Sequence, residues 1–221
     1  MGESSISLNG YRRENGLLWP DYDRRCAEVT FAEVAALMPV LLAEVEGRGV
    51  AVQAGGNCGQ LVAHLAEHFA AVYTFEPDHR NFVALAVNTA GRPNVFPFRA
   101  ALGSQGDRGK FCDMQNGDER YPANCGALYC IGRGRIPFVT IDDLCLSQCD
   151  LIALDIEGLE HRALSGAWIT IRDCQPVILV EEKGLGRRAD GDECELIEYY
   201  LSRCGYVFKC RVGNDRIYLP Q

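Results

Sequence analysis

The sequence predicts an α/β fold in which helices flank a mostly parallel β-sheet. Short apolar runs alternate with helical stretches of roughly ten residues, which indicates parallel strands joined by helical crossovers. The chain has 221 residues, 48% hydrophobic and 24% charged, which suits one globular domain. It has neither a signal peptide nor an apolar run long enough to span a membrane, so we expect a cytoplasmic protein.

Residues 1–49 are predicted to form an N-terminal arm and a helix. The arm is polar, with a few aromatic side chains among its charges. Thr30 followed by Glu33 has the form of a capping box, which predicts a helix from Thr30 to about Glu46. Pro39 is expected to kink this helix or divide it in two.

Residues 50–221 are predicted to form the main domain, which closes with an antiparallel hairpin over 206–211 and 216–219. Residues 103–137 interrupt the alternation with seven glycines and four arginines. Connections of this length are usually functional, so we interpret the segment as a lid over a ligand site. The predicted strands are 50–52, 71–75, 95–98, 138–141, 150–156 and 176–180, and the predicted helices are 60–69, 78–89, 159–168 and 193–204.

Charge and cysteine content narrow the classes of function. The net charge is −8, whereas a nucleic-acid surface needs clustered lysine and arginine, so a nucleic-acid partner is not expected. None of the eleven cysteines forms a C-x-x-C pair, which argues against structural zinc and favours free thiols. His64 and His68 match the H-x-x-E-H zinc signature, but no third ligand stands out. We therefore predict no metal site.

Ligands of an open parallel sheet bind at the carboxyl ends of its strands. The first predicted strand there leads into a glycine-rich turn, Gln53-Ala54-Gly55-Gly56-Asn57-Cys58-Gly59, and the second ends at Glu76, 21 residues beyond Gly55. An acidic residue at this distance is placed to accept hydrogen bonds from ribose hydroxyls. Because the turn does not match G-x-G-x-x-G, we expect S-adenosylmethionine rather than a dinucleotide.

Several segments together resemble the FkbM family of class I S-adenosylmethionine-dependent methyltransferases. The resemblance covers residues 50–182, in the family's order and spacing. It implies a Rossmann-like, seven-stranded, mostly parallel sheet whose last strand is antiparallel, and methyl transfer to a hydroxyl oxygen. The matching segments are the glycine-rich turn (family D-x-G-A-N-x-G), Phe75-Glu76-Pro77 (F-E-P), Val139–Leu144 (T-L-D-D-L), Leu154–Glu160 (I-D-V-E-G-x-E) and Pro176–Glu181 (P-x-x-x-x-E).

The resemblance also implies a cofactor site. Gly55 and Asn57 would line the methionine part of S-adenosylmethionine, and Glu76 would hold the ribose. The backbone of Ala100 and Ala101 would contact the adenine. Asp155 would lie near the amino group and the transferred methyl group.

Gln53 departs from the family pattern, which usually has Asp or Glu at this position. Glutamine can accept a hydrogen bond from the ammonium end of the cofactor but supplies no charge, so binding would be weaker. The departure keeps open the alternative of a non-catalytic binding module with this fold. A nucleic-acid or protein methyltransferase is a further alternative.

Acidic residues near the ends of the fourth and fifth strands of the predicted sheet are the catalytic candidates. A hydroxyl acceptor benefits from a general base, and we assign this role to Asp155, Glu157 or His161. His161 has the most suitable ordinary pKa, although it could equally be a surface residue of its helix. Glu160 and Glu181 are assigned to substrate binding. Asp155, Glu157 and Glu181 could instead hold magnesium.

The sequence thus predicts an O-methyltransferase whose partner is a small-molecule or glycan hydroxyl acceptor. Residues 103–137 would cover that acceptor, with the N-terminal arm beside them. A homodimer is compatible with the sequence. The sequence does not identify the acceptor, because acceptor pockets are built from variable loops.

Overall fold

A computed structural model describes residues 9–23, 26–117, 123–181 and 194–221. The first eight residues of the predicted arm lie outside these ranges. So do Arg120 in the predicted lid, Glu182 after the sixth predicted strand and Glu193 at the start of the last predicted helix. None of the helices in the described ranges is long and apolar enough to cross a membrane.

The helices and strands follow one another as the alternation predicts, with additions at the N-terminus and in the middle of the chain. In chain order they are β1 (Tyr11–Glu14), β2 (Leu17–Pro20), α1 (Cys26–Glu44), β3 (Val50–Ala54), α2 (Gln60–His68), β4 (Ala71–Phe75), α3 (His79–Thr89), β5 (Val95–Phe98), β6 (Ala101–Leu102), β7 (Phe111–Asn116), β8 (Leu128–Val139), β9 (Leu151–Leu154), α4 (Glu160–Ser165), α5 (Trp168–Cys174), β10 (Val177–Glu181), α6 (Cys194–Arg203), β11 (Tyr206–Val212) and β12 (Asp215–Pro220).

The main sheet has seven strands in the order β11-β12-β10-β9-β3-β4-β5. From β10 to β5 neighbouring strands are parallel, whereas β12 is antiparallel to both of its neighbours. The chain winds from β3 to β4 and β5 on one side and from β9 to β10 on the other. The boundary between β3 and β9 is therefore the switch point of the sheet, where ligands of such folds bind.

Alternating strand residues pack against helices on both faces of the sheet. Val52, Ile152 and Ile178 lie in a core shared with α4, α5 and α6. Their strand neighbours, including Ala51 and Leu179, lie in a second core with α1 and α2. The continuous apolar character of these strands follows from burial on both faces.

The start of α1 differs from the prediction. Asp23 is its N-terminal cap, because its carboxylate accepts hydrogen bonds from the backbone N–H of Cys26 at 3.1 Å and of Ala27 at 3.2 Å. Thr30 lies inside the helix, where its hydroxyl donates to the carbonyl of Cys26 at 2.7 Å. Pro39 does not divide α1, since it lies on the exposed side, where water can solvate the carbonyl that it leaves unpaired.

The predicted helix over 159–168 is two short helices, α4 and α5. The break falls at Gly166, whose carbonyl accepts a hydrogen bond from the backbone N–H of Asp142 at 3.0 Å instead of continuing the helix. A Cβ atom at Gly166 would lie 2.1 Å from the carbonyl oxygen of Gly103. Close approach of two backbones therefore ends the helix, and sequence periodicity does not report such contacts.

The described parts of the predicted lid, 103–117 and 123–137, are not a plain connection. They form most of an antiparallel pair, β7 and β8, in a separate sheet of order β6-β8-β7. The predicted main-sheet strand over 138–141 is therefore wrong, because 138–139 are the end of β8. Gly134 permits this pairing, since a Cβ atom there would lie 2.1 Å from the carbonyl oxygen of Cys112.

Candidate active site

A cavity of about 750 Å³ opens at the carboxyl edge of the sheet, at the switch point between β3 and β9. Cavities of roughly 300–1,000 Å³ are typical of small-molecule and cofactor sites. The loops after β3, β4 and β9, together with Glu181 at the end of β10, form one side of the cavity. The other side consists of α1 and the β7–β8 hairpin.

The turn after β3 requires glycine at Gly55. This residue has φ +79°, and a Cβ atom on it would lie 1.8 Å from the carbonyl oxygen of Asp155. The backbone N–H groups of Gly55 and Gly56 both donate to the carbonyl of Phe75 at 3.0 Å. The turn is thereby fixed against the end of β4 and leaves an open cradle at the cavity edge.

Glu76 lies at the end of β4, and only 4% of it is exposed. One carboxylate oxygen accepts a hydrogen bond from the backbone N–H of Asn57 at 2.6 Å, and the other accepts one from Asp78 at 2.8 Å. Burial raises the pKa of Glu76 to about 8, although these two hydrogen bonds oppose the shift. The glycine turn is thus hydrogen-bonded to Glu76, the residue predicted to bind the ribose.

Ala100 and Ala101 line the cavity just beyond β5, and both are buried. Leu102 and Met114 extend this wall with apolar side chains. A flat heterocycle would find apolar contacts and main-chain polar groups here, which is the environment that the resemblance implies for adenine.

Gln53 lines the cavity, but its amide is used inside the protein. Its Nε2 donates to the carbonyls of Ala54 and Gly55, each at 3.0 Å, and its Oε1 accepts from the Thr74 hydroxyl at 2.6 Å. A carboxylate in this position would face two carbonyl oxygens without a proton to donate. The departure from the family's acidic residue therefore has a local reason.

Asp155, Glu157 and Glu181 converge at the cavity edge. One carboxylate oxygen from each lies within 4.8 Å of the others. Asp155 and Glu181 stand at the ends of neighbouring strands, and Glu157 is brought inward by a left-handed backbone with φ +54°. Such a group can accept hydrogen bonds and protons, and its oxygen donors could also hold a divalent cation.

Glu160 does not line the cavity, in contrast to its predicted role in substrate binding. Its buried carboxylate accepts hydrogen bonds from the backbone N–H groups of Ile156 and Gly158, each at 3.0 Å. Burial raises its pKa to about 7. Glu160 therefore fixes the loop that carries Glu157.

His161 is also outside the lining of the cavity. Its ring packs edge-on against Tyr200 of α6, with 5.4 Å between the ring centroids. The helix turn that directs Glu160 into its own loop thus directs His161 toward α6. Of the three predicted catalytic residues, the structure brings together Asp155 and Glu157 but not His161.

A group of thiols on the opposite wall was missed by the sequence analysis. Cys26 of α1 and Cys125 before β8 meet at the side chain of Asn57, whose Nδ2 donates to Cys26 Sγ at 3.0 Å. The thiol of Cys125 donates to Asn57 Oδ1 at 3.5 Å. Cys58 lies in the same buried cluster. Asn57 therefore connects the glycine turn to the thiols: its backbone N–H donates to Glu76, and its side chain contacts Cys26 and Cys125. The spacing of the cysteines in the sequence does not predict these contacts.

The cavity walls contain polar atoms that lack partners. Within the described ranges, six buried side-chain nitrogen or oxygen atoms have no hydrogen-bond partner. Four of them belong to Trp19, Gln60 and Asn81, which line the cavity. Buried polar groups are rarely left unpaired, so a polar ligand is expected here. Together with the glycine cradle and the apolar wall, these atoms fit S-adenosylmethionine.

The sheet order, the antiparallel β12, the glycine turn and the buried Glu76 define a Rossmann-like fold of the class I methyltransferase kind. The model of the FkbM methyltransferase domain matches residues 53–208. The chain belongs to the FkbM methyltransferase family, which uses S-adenosylmethionine. The predicted family, fold class and cofactor are thereby confirmed.

Solved structures show the same fold at low sequence identity. The FkbM methyltransferase from Methylobacillus flagellatus KT has a TM-score of 0.52 and 21% identity, over 78% of this chain and 43% of that one. Magnesium protoporphyrin IX methyltransferase (ChlM) from Synechocystis PCC 6803, with bound S-adenosylhomocysteine, has a TM-score of 0.50 and 13% identity, over 89% and 85%. The chain thus spans less than half of the Methylobacillus protein. No curated protein sequence matches it.

Proposed function

We propose that this protein transfers a methyl group from S-adenosylmethionine to a hydroxyl group of a small-molecule or carbohydrate-like acceptor. The observation that carries the proposal is the convergence of Asp155, Glu157 and Glu181 beside the glycine turn, with oxygens within 4.8 Å of one another. Carboxylates grouped in this way can orient hydroxyl groups and accept a proton from one of them.

In this proposal, one group of cavity residues binds the cofactor and another binds the acceptor. When bound, S-adenosylmethionine supplies an electrophilic methyl group on its sulfonium. The turn at Gly55 would hold the amino-acid side of the cofactor, and the carboxyl group of Glu76 would hold its ribose. An acceptor hydroxyl among the carboxylates would give its proton to Glu157, while transfer of the methyl group to its oxygen would break the methyl–sulfur bond and leave S-adenosylhomocysteine. Glu157 is chosen because it is the least exposed of the three.

The charge of the cavity limits the acceptor. Its lining residues within the described ranges include six acids and no Lys, Arg or His. A phosphorylated or otherwise anionic acceptor would be repelled there, whereas an uncharged polyol would find many hydrogen-bond acceptors. This supports an uncharged hydroxyl compound over a nucleic acid, the alternative that the sequence left open.

The acceptor class can be tested with S-adenosylmethionine carrying a tritiated methyl group. The acceptors are uncharged sugars and polyols, each paired with its phosphate ester, together with an RNA oligonucleotide and a peptide mixture. We expect label in the uncharged acceptors, at the hydroxyl oxygen. Label confined to the RNA, the peptides or the phosphate esters would overturn the proposal.

The assignment of the base is tested with Glu157→Gln. We expect turnover to fall about 10²- to 10⁴-fold, because a positioned base contributes about that much, while affinity for S-adenosylhomocysteine changes less than about threefold. His161→Ala is the control, because His161 lies in the same sequence motif but outside the cavity lining, and it should keep its turnover. Equal turnover of Glu157→Gln and the unsubstituted protein would remove Glu157 as the base.

A further inference from the structure

Gln60 is a buried amide that the methyl-transfer chemistry described above does not use. It is the first residue of α2, only 4% of it is exposed, and it lines the cavity. Neither its Nε2 nor its Oε1 has a hydrogen-bond partner. A buried amide with both ends unpaired destabilises the protein unless a ligand pairs with them.

The surroundings of Gln60 favour an anionic group. Gly59 precedes α2 with φ +89°, and no side chain caps the helix. The backbone N–H groups of a first helical turn attract negative charge, and α2 has nine residues to align its peptide dipoles. A carboxylate beside Gln60 would meet both this helix end and the amide N–H group.

Gln60 opens a helix that packs on the same face of the sheet as Gln53. Strand residues two apart share a face, so Gln53 lies on the face of Ala51, which packs with Val62 and Leu65 of α2. The amide of Gln53 is already hydrogen-bonded within the protein, at both of its ends. The amide of Gln60 therefore remains available to a ligand in this part of the cavity.

We propose that Gln60 binds the amino-acid end of S-adenosylmethionine. Its Nε2 donates a hydrogen bond to the α-carboxylate, and its Oε1 accepts one from the ammonium group. One neutral amide thus serves both charges of the zwitterion, which compensates for the absence of an acid at position 53. The inference rests on the cofactor placement in the proposed function.

Two ligands separate a contact with the amino-acid end from general damage to the site. S-adenosylhomocysteine has the amino-acid end, whereas 5′-methylthioadenosine has the same nucleoside and a thioether but no amino acid. Both are titrated calorimetrically into the full chain and into Gln60→Leu. We expect Gln60→Leu to weaken S-adenosylhomocysteine about 10- to 100-fold, as for lost hydrogen bonds to charged groups, and 5′-methylthioadenosine less than about twofold.

The matched control is Gln148→Leu, an exposed glutamine before β9 that hydrogen-bonds Asp150 at the opposite edge of the sheet. It should bind both ligands as the unsubstituted chain does. The ligand-free Gln60→Leu chain should melt no lower than the unsubstituted one, because it loses an unpaired buried amide. If Gln60→Leu loses affinity equally for both ligands, or for neither, the proposed role of Gln60 is wrong, while the cofactor placement still stands. If the unsubstituted chain binds neither ligand, the cofactor placement fails as well.

Discussion

The cavity has two walls of different origin. The strand-end wall consists of the turn at 55–57, Glu76, and the carboxylates Asp155, Glu157 and Glu181. The hairpin wall consists of β7, β8 and residues 123–127, together with the start of α1. Short sequence motifs place the polar groups of the first wall, whereas hydrogen bonds between distant segments assemble the second. One side of the cavity therefore depends on residues close together in sequence, and the other depends on contacts between distant segments.

The most damaging substitution we predict is in the backbone of the strand-end wall, at Gly55. Gly55→Ala adds a Cβ atom 1.8 Å from the carbonyl oxygen of Asp155 at a residue with φ +79°. We expect a loss of about 4 kcal/mol or more in the free energy of unfolding, and no measurable binding of S-adenosylhomocysteine. Chemical denaturation and calorimetric titration measure the two effects.

Gly91→Ala is the matched control for this substitution. Gly91 has no heavy atom within 4 Å of the added Cβ position, and its φ is not in the left-handed region. It should therefore change stability by less than about 0.5 kcal/mol. If Gly55→Ala behaves like Gly91→Ala, the close approach of the turn to β9 is not required.

The sequence predicts the strand-end wall better than the hairpin wall. The glycine turn, Glu76 and Asp155 line the cavity, and the sequence points to these positions because strand ends and turn glycines leave local signals. The positions of Glu160 and His161 outside the cavity lining have no local signal, because adjacent residues of one short helix point to different neighbours. The sequence does not predict the β7–β8 pairing, because Gly132 and Gly134 are untypical of a strand interior. It does not predict the contact of Cys26 with Asn57 either, because these residues are 31 positions apart.

A second prediction concerns the charge of the strand-end wall. Folding raises the pKa of Glu76 from 4.5 to about 8 through burial. Between these pH values the folded chain keeps a proton that the unfolded chain has released, so the contribution of Glu76 is full below pH 4.5 and is lost as the pH rises to about 8. We expect the ligand-free protein to lose on the order of a few kcal/mol over this range.

Glu76→Gln should flatten this pH dependence, as measured by urea unfolding at several pH values between 4.5 and 8. Part of the slope will remain, since burial also raises the pKa of Glu160, to about 7. Glu67→Gln is the control, because Glu67 is exposed on α2 and pairs only at the surface with Arg92. A Glu76→Gln chain with the unaltered slope would mean that Glu76 is ionised in the folded protein.

The smallest effect is expected on the hairpin wall, where Asp23 connects two distant segments. Its carboxylate caps α1 through Cys26 and Ala27, and also accepts a hydrogen bond from the backbone N–H of Cys125 at 3.2 Å. We expect Asp23→Ala to lower the free energy of unfolding by about 1–3 kcal/mol, the range for a lost cap and an unpaired buried N–H. Chemical denaturation measures this loss.

Asp23→Ala should weaken binding of S-adenosylhomocysteine by less than about threefold, because the strand-end wall does not depend on this carboxylate. Asp23→Asn, which keeps the capping oxygen, should recover most of the stability. A large loss of affinity in Asp23→Ala would instead show that the two walls are energetically coupled. The route for such coupling exists, since Asn57 contacts Cys26 through its side chain and Glu76 through its backbone. The size of the affinity change therefore decides whether the hairpin wall only encloses the glycine turn or also stabilises its conformation.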